Sequence, residues 1–392
     1  MIIVYFILTA LFIYLALSVL YFHFFSWGAL FPLRDRKVAE KLSRKYAVLI
    51  PGYKEDAVIV SVAEAALRQD ASREMFDVVV IADSFQPETL ERLRELHVKV
   101  VEVSFDVSTK SKALNKAMAE LGDDCDVAVV LDTDNIMAED FLLRMEPHFD
   151  RGFQVVQGHR VAKNTGTPMA QLDAISEEVN NSVFRKGHRV FGLSSVLIGS
   201  GMAFDYAFFK EIIGRIKVIG GFDKELELEM LRDRIQISYA IDAYVYDEKV
   251  SRAKSFQNQH RHWLSAQFIY FRRYFGSAVL HLFTKGNLDF FDKAIQMALV
   301  PRALLIGFVG LFGVLAYFFE IPPGSEWWIW LPGILVISFL FSIPGEFYNA
   351  KTLRALIYLP VGILNVLLSL LKIRGANKRF IHTPHGEDSS SS

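Results

Sequence analysis

The strongest constraint on the fold is a charge-free apolar run at the start of the chain. No Asp, Glu, Lys or Arg occurs between Ile2 and Phe25, and about 20 apolar residues are enough to cross a hydrocarbon core of roughly 30 Å. A cleaved signal peptide is the alternative, but the run has no basic stretch before it and is longer than the apolar part of a signal peptide. The sequence therefore predicts a transmembrane helix within residues 1–30.

The residues after this run indicate which side of the membrane the next part of the chain occupies. Basic side chains are concentrated there: Arg34, Arg36, Lys37, Lys41, Arg44 and Lys45. Positively charged residues beside a transmembrane helix are retained on the cytoplasmic side. We therefore expect a protein of the cytoplasmic (inner) membrane whose central part lies in the cytoplasm.

Further apolar runs lie in the last third of the chain, at 303–319, 327–343 and 355–371. The first two are predicted to form a transmembrane pair, because the segment joining them has no Lys or Arg, as is typical of external loops. The third run is interrupted by Pro360 and Asn365. We interpret it as interfacial or re-entrant, which returns the end of the chain to the cytoplasm.

The central part has a different composition. Charged and apolar residues are mixed from 31 to 262, as in a soluble α/β domain. The segment that follows, within 263–300, interleaves aromatic and aliphatic residues with Arg272 and Arg273, which is typical of helices at a membrane surface. The sequence thus predicts a multi-pass membrane protein with membrane or re-entrant helices at 301–372 and a cytoplasmic tail at 373–392.

Charge and cysteine content limit the classes of partner. The formal net charge is −1 at pH 7, so nothing favours nucleic acid as a partner. The single cysteine, Cys125, excludes an internal disulfide and a cysteine-rich zinc site. It agrees with a reducing compartment.

Short β-branched runs alternate with helix-forming segments in the central part. Strands are predicted at 46–51, 76–81, 98–103 and 127–131. Helices are predicted between them at 57–69, 87–96 and 110–121. This alternation indicates a Rossmann-like α/β fold with a parallel sheet covered on both faces. Its ligand is expected beyond the carboxyl ends of the strands, where Glu55, Asp83, Asp132 and Asp134 follow.

The paired aspartates after the last of these strands are the first candidate for chemistry. Asp132 and Asp134 are one residue apart, so both carboxylates can turn to one point and hold Mg²⁺ or Mn²⁺ beside a diphosphate. Such pairs also cap turns and helices, which is the alternative. Neither a Gly-x-Gly-x-x-Gly after the first strand nor a P-loop motif occurs, so the familiar nucleotide sites lose their main support.

With its companions, this motif resembles glycosyltransferase family 2, the inverting enzymes with a GT-A fold that include cellulose, chitin and hyaluronan synthases. The resemblance spans roughly Tyr46 to Trp263. Its motifs stand in the family's order: Val48-Leu-Ile-Pro-Gly-Tyr-Lys-Glu55, Val80-Ile-Ala-Asp83, Lys110-Ser-Lys-Ala-Leu-Asn115, Leu131-Asp-Thr-Asp134, Gly199-Ser-Gly201, Gly220 to Leu228 and Gln259-His-Arg-His-Trp263. By this resemblance residues 31–262 are expected to be a GT-A glycosyltransferase domain.

The resemblance implies a UDP-sugar donor and residues that bind it. Tyr53, Glu55 and Asp83 would contact the nucleoside, Lys110 would lie near the phosphates, and Asp132 would face the ribose or sugar while Asp134 binds the metal. The physical chemistry agrees, because a carboxylate accepts N–H groups of a base and a Lys offsets diphosphate charge. The other motif residues expected at the substrate are Pro51, Asn115, Gly201 and Gln259.

The resemblance also implies a catalytic base. The family's Glu-Asp pair appears here as Lys224-Glu225, so Glu225 takes the position of the base, with Asp223 as its competitor. The family's Gln-x-x-Arg-Trp motif has His262 where Arg is usual. Trp263 would form a wall for the acceptor sugar, and Arg261 or His262 would donate to the leaving phosphate. A basic, aromatic membrane-surface helix is the alternative for this segment.

These inferences support a metal-dependent hexosyltransferase that extends a glycan at the cytoplasmic membrane face. Transfer of a single sugar to a membrane lipid, such as a polyprenyl phosphate or a diacylglycerol, is the second hypothesis. A non-catalytic membrane scaffold with a retained fold is the third. If a polymer is exported, partner subunits would be needed to complete the path, because three or four membrane segments are few for a pore.

Overall fold

The computed structural model describes residues 2–33, 38–216, 221–248 and 253–371, and for 253–264 and 369–371 it describes the backbone alone. The strands are β1 (Tyr46–Tyr53), β2 (Phe76–Asp83), β3 (Lys99–Val103), β4 (Val127–Val130), β5 (Ile136–Met137), β6 (Val155–Ala162), β7 (Met202–Asp205) and β8 (Ile237–Asp247).

One helix precedes the strands, a second group lies between them, and a third group follows the last strand. The first eight of the chain after the N-terminal helix α1 (Ile2–Gly28) are α2 (Ile59–Ala66), α3 (Pro87–Glu95), α4 (Lys110–Glu120), α5 (Phe141–Asp150), α6 (Pro168–Asn180), α7 (His188–Val190), α8 (Tyr206–Ile213) and α9 (Phe222–Arg232). A π-helix, Asn181–Gly187, joins α6 to α7. The remaining helices are α10 (Ala253–Lys285), α11 (Leu288–Ala298), α12 (Arg302–Phe318), α13 (Ser325–Ser342), α14 (Ala350–Leu356) and α15 (Leu359–Leu371).

A single eight-stranded sheet forms the centre of the soluble part, in the order β3-β2-β1-β4-β7-β6-β8-β5. The predicted α/β fold is confirmed, and β3, β2, β1 and β4 are parallel. The expectation of a wholly parallel sheet is corrected by β7, which pairs antiparallel with both β4 and β6. Since β6 and β8 are parallel to each other, their carboxyl ends and the start of β7 lie at the edge where β4 ends.

Helices cover both faces of the sheet, as predicted. Successive residues of β1 point to opposite sides, because side chains alternate along a strand. Ala47 and Leu49 pack with residues of α4, α8 and α9, whereas Val48 and Ile50 pack with residues of α2, α3 and α5. Both faces of β1 are thus buried, which explains its nearly continuous apolar sequence.

A third apolar core joins the N-terminal helix to the C-terminal part. It contains buried residues of α1, α6, the π-helix, α12 and α13. Two polar contacts link α1 to α13: Ser342 Oγ donates to Ser26 Oγ at 2.9 Å, and His23 Nδ1 lies 2.9 Å from Ser338 Oγ. The two ends of the chain therefore pack together rather than forming separate units.

Length and composition allow two of the described helices, α1 and α13, to cross a membrane. The number rises to four if α11 with α12, and α14 with α15, each count as one span; these pairs bend by 59° and 45° at short breaks. The helices predicted near 303–319 and 327–343 are present as α12 and α13. The re-entrant course proposed for 355–371 stays a prediction, and the predicted tail at 373–392 lies outside the described residues.

The helix α10 runs without a break through the predicted boundary between residues 262 and 263. It packs against α9 and α11, and also against the apolar helix α15. One continuous helix therefore connects the sheet domain to the apolar C-terminal part.

Candidate active site

Three loops meet at the carboxyl edge of the sheet, next to Gly52. A Cβ atom added at Gly52 would lie 2.6 Å from Phe85 Cζ and 3.0 Å from Thr133 Cγ2. Phe85 follows β2 and Thr133 follows β4, so side chains from both loops lie against the end of β1. A side chain at this position would have to displace the ring of Phe85.

The residues predicted to bind a nucleoside lie together in two of these loops. Tyr53 and Asp83 are register partners in the parallel pair of β1 and β2. Asp83 is only 2% exposed, and Ser84 Oγ donates to its Oδ1 at 3.0 Å. Glu55 is buried nearby, where the chain bends after Lys54, whose backbone N–H donates to Asp83 O at 3.0 Å.

Lys110 reaches this edge from the first turn of α4. Thr109 caps the helix, with its Oγ1 accepting from the N–H of Lys112 at 3.2 Å. From there Lys110 Nζ forms an ion pair with Asp132 and donates to Gly199 O at 2.6 Å. The ammonium group of Lys110 and the carboxylate of Asp132, the first aspartate of the pair, are therefore neighbours. This agrees with the expectation that Lys110 lies near a bound diphosphate.

Asp132 is also tied to the loop before β7. Its backbone N–H donates to Ser200 Oγ at 2.9 Å, and Gln157 Nε2 donates to Ser200 O at 3.0 Å. The motif Gly199-Ser-Gly201 thus borders Asp132 directly, and Gln157 supports it from β6. This follows from the reversed direction of β7, which starts at the edge where β4 ends.

Asp134, the second aspartate of the pair, lies close to Asp247, which belongs to none of the sequence motifs. Asn135 Nδ2 donates to Asp134 Oδ1 and to Asp247 Oδ1, both at 2.9 Å. Burial, with the negative charges of Asp247 and Asp132, raises the pKa of Asp134 well above its ordinary range. Arg160 approaches Asp247 with Nε at 3.9 Å from Oδ2. A bound divalent cation would relieve the repulsion between these carboxylates.

The residues present fit a hard divalent cation that shares its ligands with a substrate. Asp132 and Asp134 offer carboxylate oxygens, which Mg²⁺ and Mn²⁺ prefer. In the part of the chain that the structure describes, no three or more His, Cys, Asp or Glu side chains are arranged to hold a metal ion. A cation here would therefore complete its coordination with water and phosphate oxygens.

Comparison with known families decides the assignment. A family model described as glycosyltransferase like family 2 matches residues 43–266, more than half of the chain. The chain belongs to glycosyltransferase family 2. The resemblance inferred from the motifs is therefore confirmed, and the protein is a glycosyltransferase. No curated protein sequence matches it.

One solved structure supports the same fold for this glycosyltransferase, and a second is less similar. The mannosyltransferase PcManGT from Pyrobaculum calidifontis, in complex with GDP-Man and Mn²⁺, is 17% identical, with a TM-score of 0.51 over 85% of this chain and 98% of that chain. Glucosyl-3-phosphoglycerate synthase from Mycobacterium tuberculosis, in complex with Mn²⁺, UDP and glucosyl-3-phosphoglycerate, is 18% identical, with a TM-score of 0.37 over 55% and 75%. The likeness to PcManGT extends beyond the residues that the family model matches.

The helix α9 of this glycosyltransferase borders the same edge. Phe222, its first residue, has its ring 5.7 Å from Lys110 Nζ, which in turn pairs with Asp132. Glu225 lies on the next turn and is 8% exposed. Its Oε1 accepts from Arg273 Nη1 at 2.7 Å, while its Oε2 is buried and accepts no hydrogen bond from the described residues.

Electrostatics at Glu225 suit a proton acceptor. Burial raises the pKa of its carboxyl, Arg273 opposes that effect, and the negative charge of Glu229 adds to it. A carboxylate of raised pKa with an unpaired oxygen has the properties of a general base. Its competitor Asp223 is partly exposed in the first turn of α9.

Three other residues predicted at the substrate lie in different surroundings: Pro51, Asn115 and Gly201. Pro51 lies within β1, opposite Ile81 of β2. Asn115 is exposed in the middle of α4, about 140° around the helix from Lys110. Gly201 has φ of 61° and a Cβ there would lie 2.8 Å from Val245 Cγ2. The positive φ and the close packing against β8 therefore explain why this residue is a glycine, and no bound substrate is needed for that explanation.

The Gln-x-x-Arg-Trp segment lies on the helix that follows the last strand. Gln259, Arg261, His262 and Trp263 belong to the first half of α10, but their side chains lie outside the described residues. Their roles stay predictions. The part of α10 that is described supplies Arg273, a contact of Glu225 that no motif indicated.

Proposed function

We propose that this glycosyltransferase moves a sugar, with inversion, from a UDP-sugar to a growing glycan at the cytoplasmic face of a membrane, using Mg²⁺ or Mn²⁺. The observation that supports this most is the path of contacts from Asp132 through Lys110 to Phe222. It joins the paired aspartates to the helix that carries Glu225. A donor diphosphate in this region would have the carboxylate pair on one side and a candidate base on the other.

Asp132 and Asp134 would hold the cation, with Asp247 beside them. When bound, the cation supplies positive charge that stabilises the leaving diphosphate. PcManGT, which shares the fold, was solved with Mn²⁺. Lys110 would offset the remaining diphosphate charge by exchanging its contact with Asp132 for phosphate oxygens.

Glu225 would act as the base. The acceptor oxygen forms its bond to the anomeric carbon of the sugar while the bond from that carbon to the diphosphate oxygen breaks and leaves its electron pair on the diphosphate. The acceptor proton passes to Glu225 Oε2, the oxygen that accepts no hydrogen bond from the described residues. Asp223, one turn or less away on α9, is the alternative base.

Tyr53, Glu55 and Asp83 would contact the nucleoside. The carboxylate of Asp83 can accept a hydrogen bond from the N–H group of uracil. Guanine also presents N–H groups, and PcManGT was solved with GDP-Man. A GDP-sugar is therefore the alternative donor.

The apolar helices favour a membrane setting and admit a lipid acceptor. Helices α1 and α13 are long and apolar enough to cross a membrane, and α10 contacts both α9 and the apolar α15. Because Arg273 of α10 also contacts Glu225, the candidate base is connected through one helix to the apolar part. This supports transfer to a membrane lipid as the second candidate function.

Nucleotide release from purified full-length protein tests the proposal. A panel of UDP-glucose, UDP-galactose, UDP-N-acetylglucosamine and GDP-mannose would be assayed with MnCl₂, MgCl₂ or EDTA, with membrane lipids as the acceptor source. We expect UDP to be released from a UDP-sugar. This release should require the metal ion and should be abolished in Asp134→Asn. The matched control is Asp123→Asn, whose exposed carboxylate pairs only with Lys210 among the described residues.

The product separates the two acceptor classes. Radiolabel that enters organic solvent indicates a lipid acceptor, and a long water-soluble product indicates glycan extension. Full turnover in EDTA or by Asp134→Asn would refute the metal site. Release from GDP-mannose alone would refute the choice of nucleotide but keep the reaction class.

A further inference from the structure

Helix α9 is held by polar contacts on two sides. Towards α10, Glu225 accepts from Arg273 Nη1 at 2.7 Å and Glu229, one turn later, accepts from Tyr274 Oη at 2.6 Å. Towards α11, Glu227 forms an ion pair with Lys293 at 2.7 Å. The spacing explains this, because residues four apart share a helix face and a residue two apart from each points away from it.

The contacts on the two sides differ in their surroundings. The Glu227–Lys293 pair is closed off from solvent, with side chains 1% and 3% exposed. The side chain of Arg273 is 52% exposed, whereas that of its partner Glu225 is only 11% exposed. The first pair therefore fixes the helix, whereas the second brings a solvated guanidinium onto one oxygen of a buried carboxylate.

The guanidinium of Arg273 is oriented by its own helix. Its Cζ lies 5.9 Å from the ring centroid of Tyr270, one turn earlier on α10. A planar guanidinium beside an aromatic ring has a defined direction, which a flexible ammonium lacks. The direction observed engages Oε1 of Glu225 and leaves Oε2 without a hydrogen bond from the described residues.

We propose that Arg273 is a positioning residue for Glu225, which keeps this carboxylate ionised and engages its Oε1, so that Oε2 is the oxygen left to take the acceptor proton. The inference rests on the proposed function, in which Glu225 is the base. A protonated carboxyl cannot take the acceptor proton, so whatever keeps Glu225 ionised also keeps it competent. Arg273 lies outside every motif of the family resemblance and touches the base from a different helix.

The charges around Glu225 show why a cation is needed. Glu229 and Asp223 of its own helix are acidic, and Tyr270 and Tyr274 of α10 add phenol groups whose pKa values are themselves raised, chiefly by burial. Burial and Glu229 favour the protonated form of Glu225, and Arg273 opposes both. Without Arg273, the pKa of Glu225 would be higher. Glu225 would then be protonated over more of the acidic pH range, and activity would be lost there.

The experiment measures nucleotide release against pH, from about pH 5 to 9, with the full-length protein and the best donor of the panel above. In Arg273→Gln, the acidic limb of the profile should move to higher pH by about one unit or more, because that is the shift a neighbouring opposite charge causes in a carboxyl pKa; activity at pH 6 relative to pH 9 should therefore fall compared with the native protein. Arg273→Lys keeps the positive charge and should restore the position of the acidic limb.

Arg272→Gln is the matched control, since Arg272 is the preceding exposed arginine of α10 and makes no ion pair with the described residues. Its pH profile should equal the native one. Binding of UDP with MnCl₂, followed by calorimetry, should be unchanged in all three variants and shows that they are folded.

Two results would overturn the inference: an Arg273→Gln profile that coincides with the native one, or one that is lowered by the same factor at every pH. An acidic limb in Arg273→Lys that is displaced from the native position by about one unit or more would also overturn it, and this test remains if the glutamine variant does not fold. Glu225→Gln separates the two levels. If it is inactive at all pH values while the Arg273 variants behave like the native protein, only this inference fails; if it is active, the proposed base fails too.

Discussion

Replacing Lys293 by methionine should destabilise the protein strongly, because it leaves a buried carboxylate without its counter-charge. Lys293 Nζ lies 2.7 Å from Glu227 Oε1, and both side chains are almost fully buried. The other oxygen of Glu227 is buried without a hydrogen bond from the described residues, although the backbone of Leu197 also favours the ionised carboxylate. The ammonium is therefore the main stabilising partner of this charge.

Breaking one side of a buried ion pair costs about 3–5 kcal/mol, since the remaining charge stays desolvated. The cost should depend on pH. Burial raises the pKa of Glu227, and without Lys293 this effect is less opposed. A carboxyl pKa that is raised in the folded state does not change the free energy of unfolding at a pH below the unfolded pKa of about 4.3. As the pH rises from there towards the folded-state pKa, it lowers the free energy of unfolding progressively. The loss should thus be smaller at pH 5 than at pH 8.

Thermal unfolding of the detergent-solubilised protein, followed by circular dichroism, measures the effect. Lys293→Met should lower the Tm by several degrees or more, and Lys293→Met combined with Glu227→Leu should recover most of it, because removing both charges is often neutral or stabilising. Lys285→Met, at an exposed lysine that ends α10, is the control. A single variant as stable as the native protein, or a double variant no better than the single one, would refute the reasoning.

Three further predictions concern the site. Gly52→Ala places a Cβ 2.6 Å from Phe85 Cζ, and overpacking of this kind costs about 1–3 kcal/mol; UDP affinity by calorimetry should fall and Phe85→Leu should partly restore it, whereas unchanged affinity would contradict the loop contact. Asp247→Asn removes a charge that faces Asp134, so the MnCl₂ concentration for half-maximal nucleotide release should rise several-fold; an unchanged requirement would speak against a role near the metal. Because burial raises the pKa of Glu225 and only its ionised form accepts a proton, kcat/KM should increase with pH through that raised pKa and then level off; a rate independent of pH between about 5 and 8 would exclude Glu225 as the base.

Local patterns were sufficient to predict the first half of the sheet. The runs that became β1 to β4 are short, β-branched and bounded by turn residues; β1, β2 and β4 are buried on both faces, whereas the edge strand β3 has exposed residues at Lys99 and Glu102. The carboxylates that follow them were predicted to meet because parallel strands end at one edge. The side chains of Phe85 and Thr133, from the loops after β2 and β4, both lie next to Gly52 at this edge.

The second half depends on contacts between distant parts of the chain. Nothing local to Met202–Asp205 indicates that β7 runs antiparallel, yet its direction brings Ser200 to Asp132. The run Ile237–Asp247 ends in an aspartate, as β2 does. That ending was a usable signal for Asp247, but only the sheet order reveals that it faces Asp134.

The departure from the family pattern at Lys224 has a physical counterpart in α10. Where the family resemblance leads one to expect two adjacent acids, this chain has one acid, Glu225, preceded by a lysine and contacted by Arg273. Two adjacent carboxylates would repel each other and favour protonation of one of them. An arginine in contact with the remaining carboxylate has the opposite effect. The substitution therefore removes a like charge from the neighbourhood of the proposed base, and Arg273 supplies an opposite one, which favours the ionised form of Glu225.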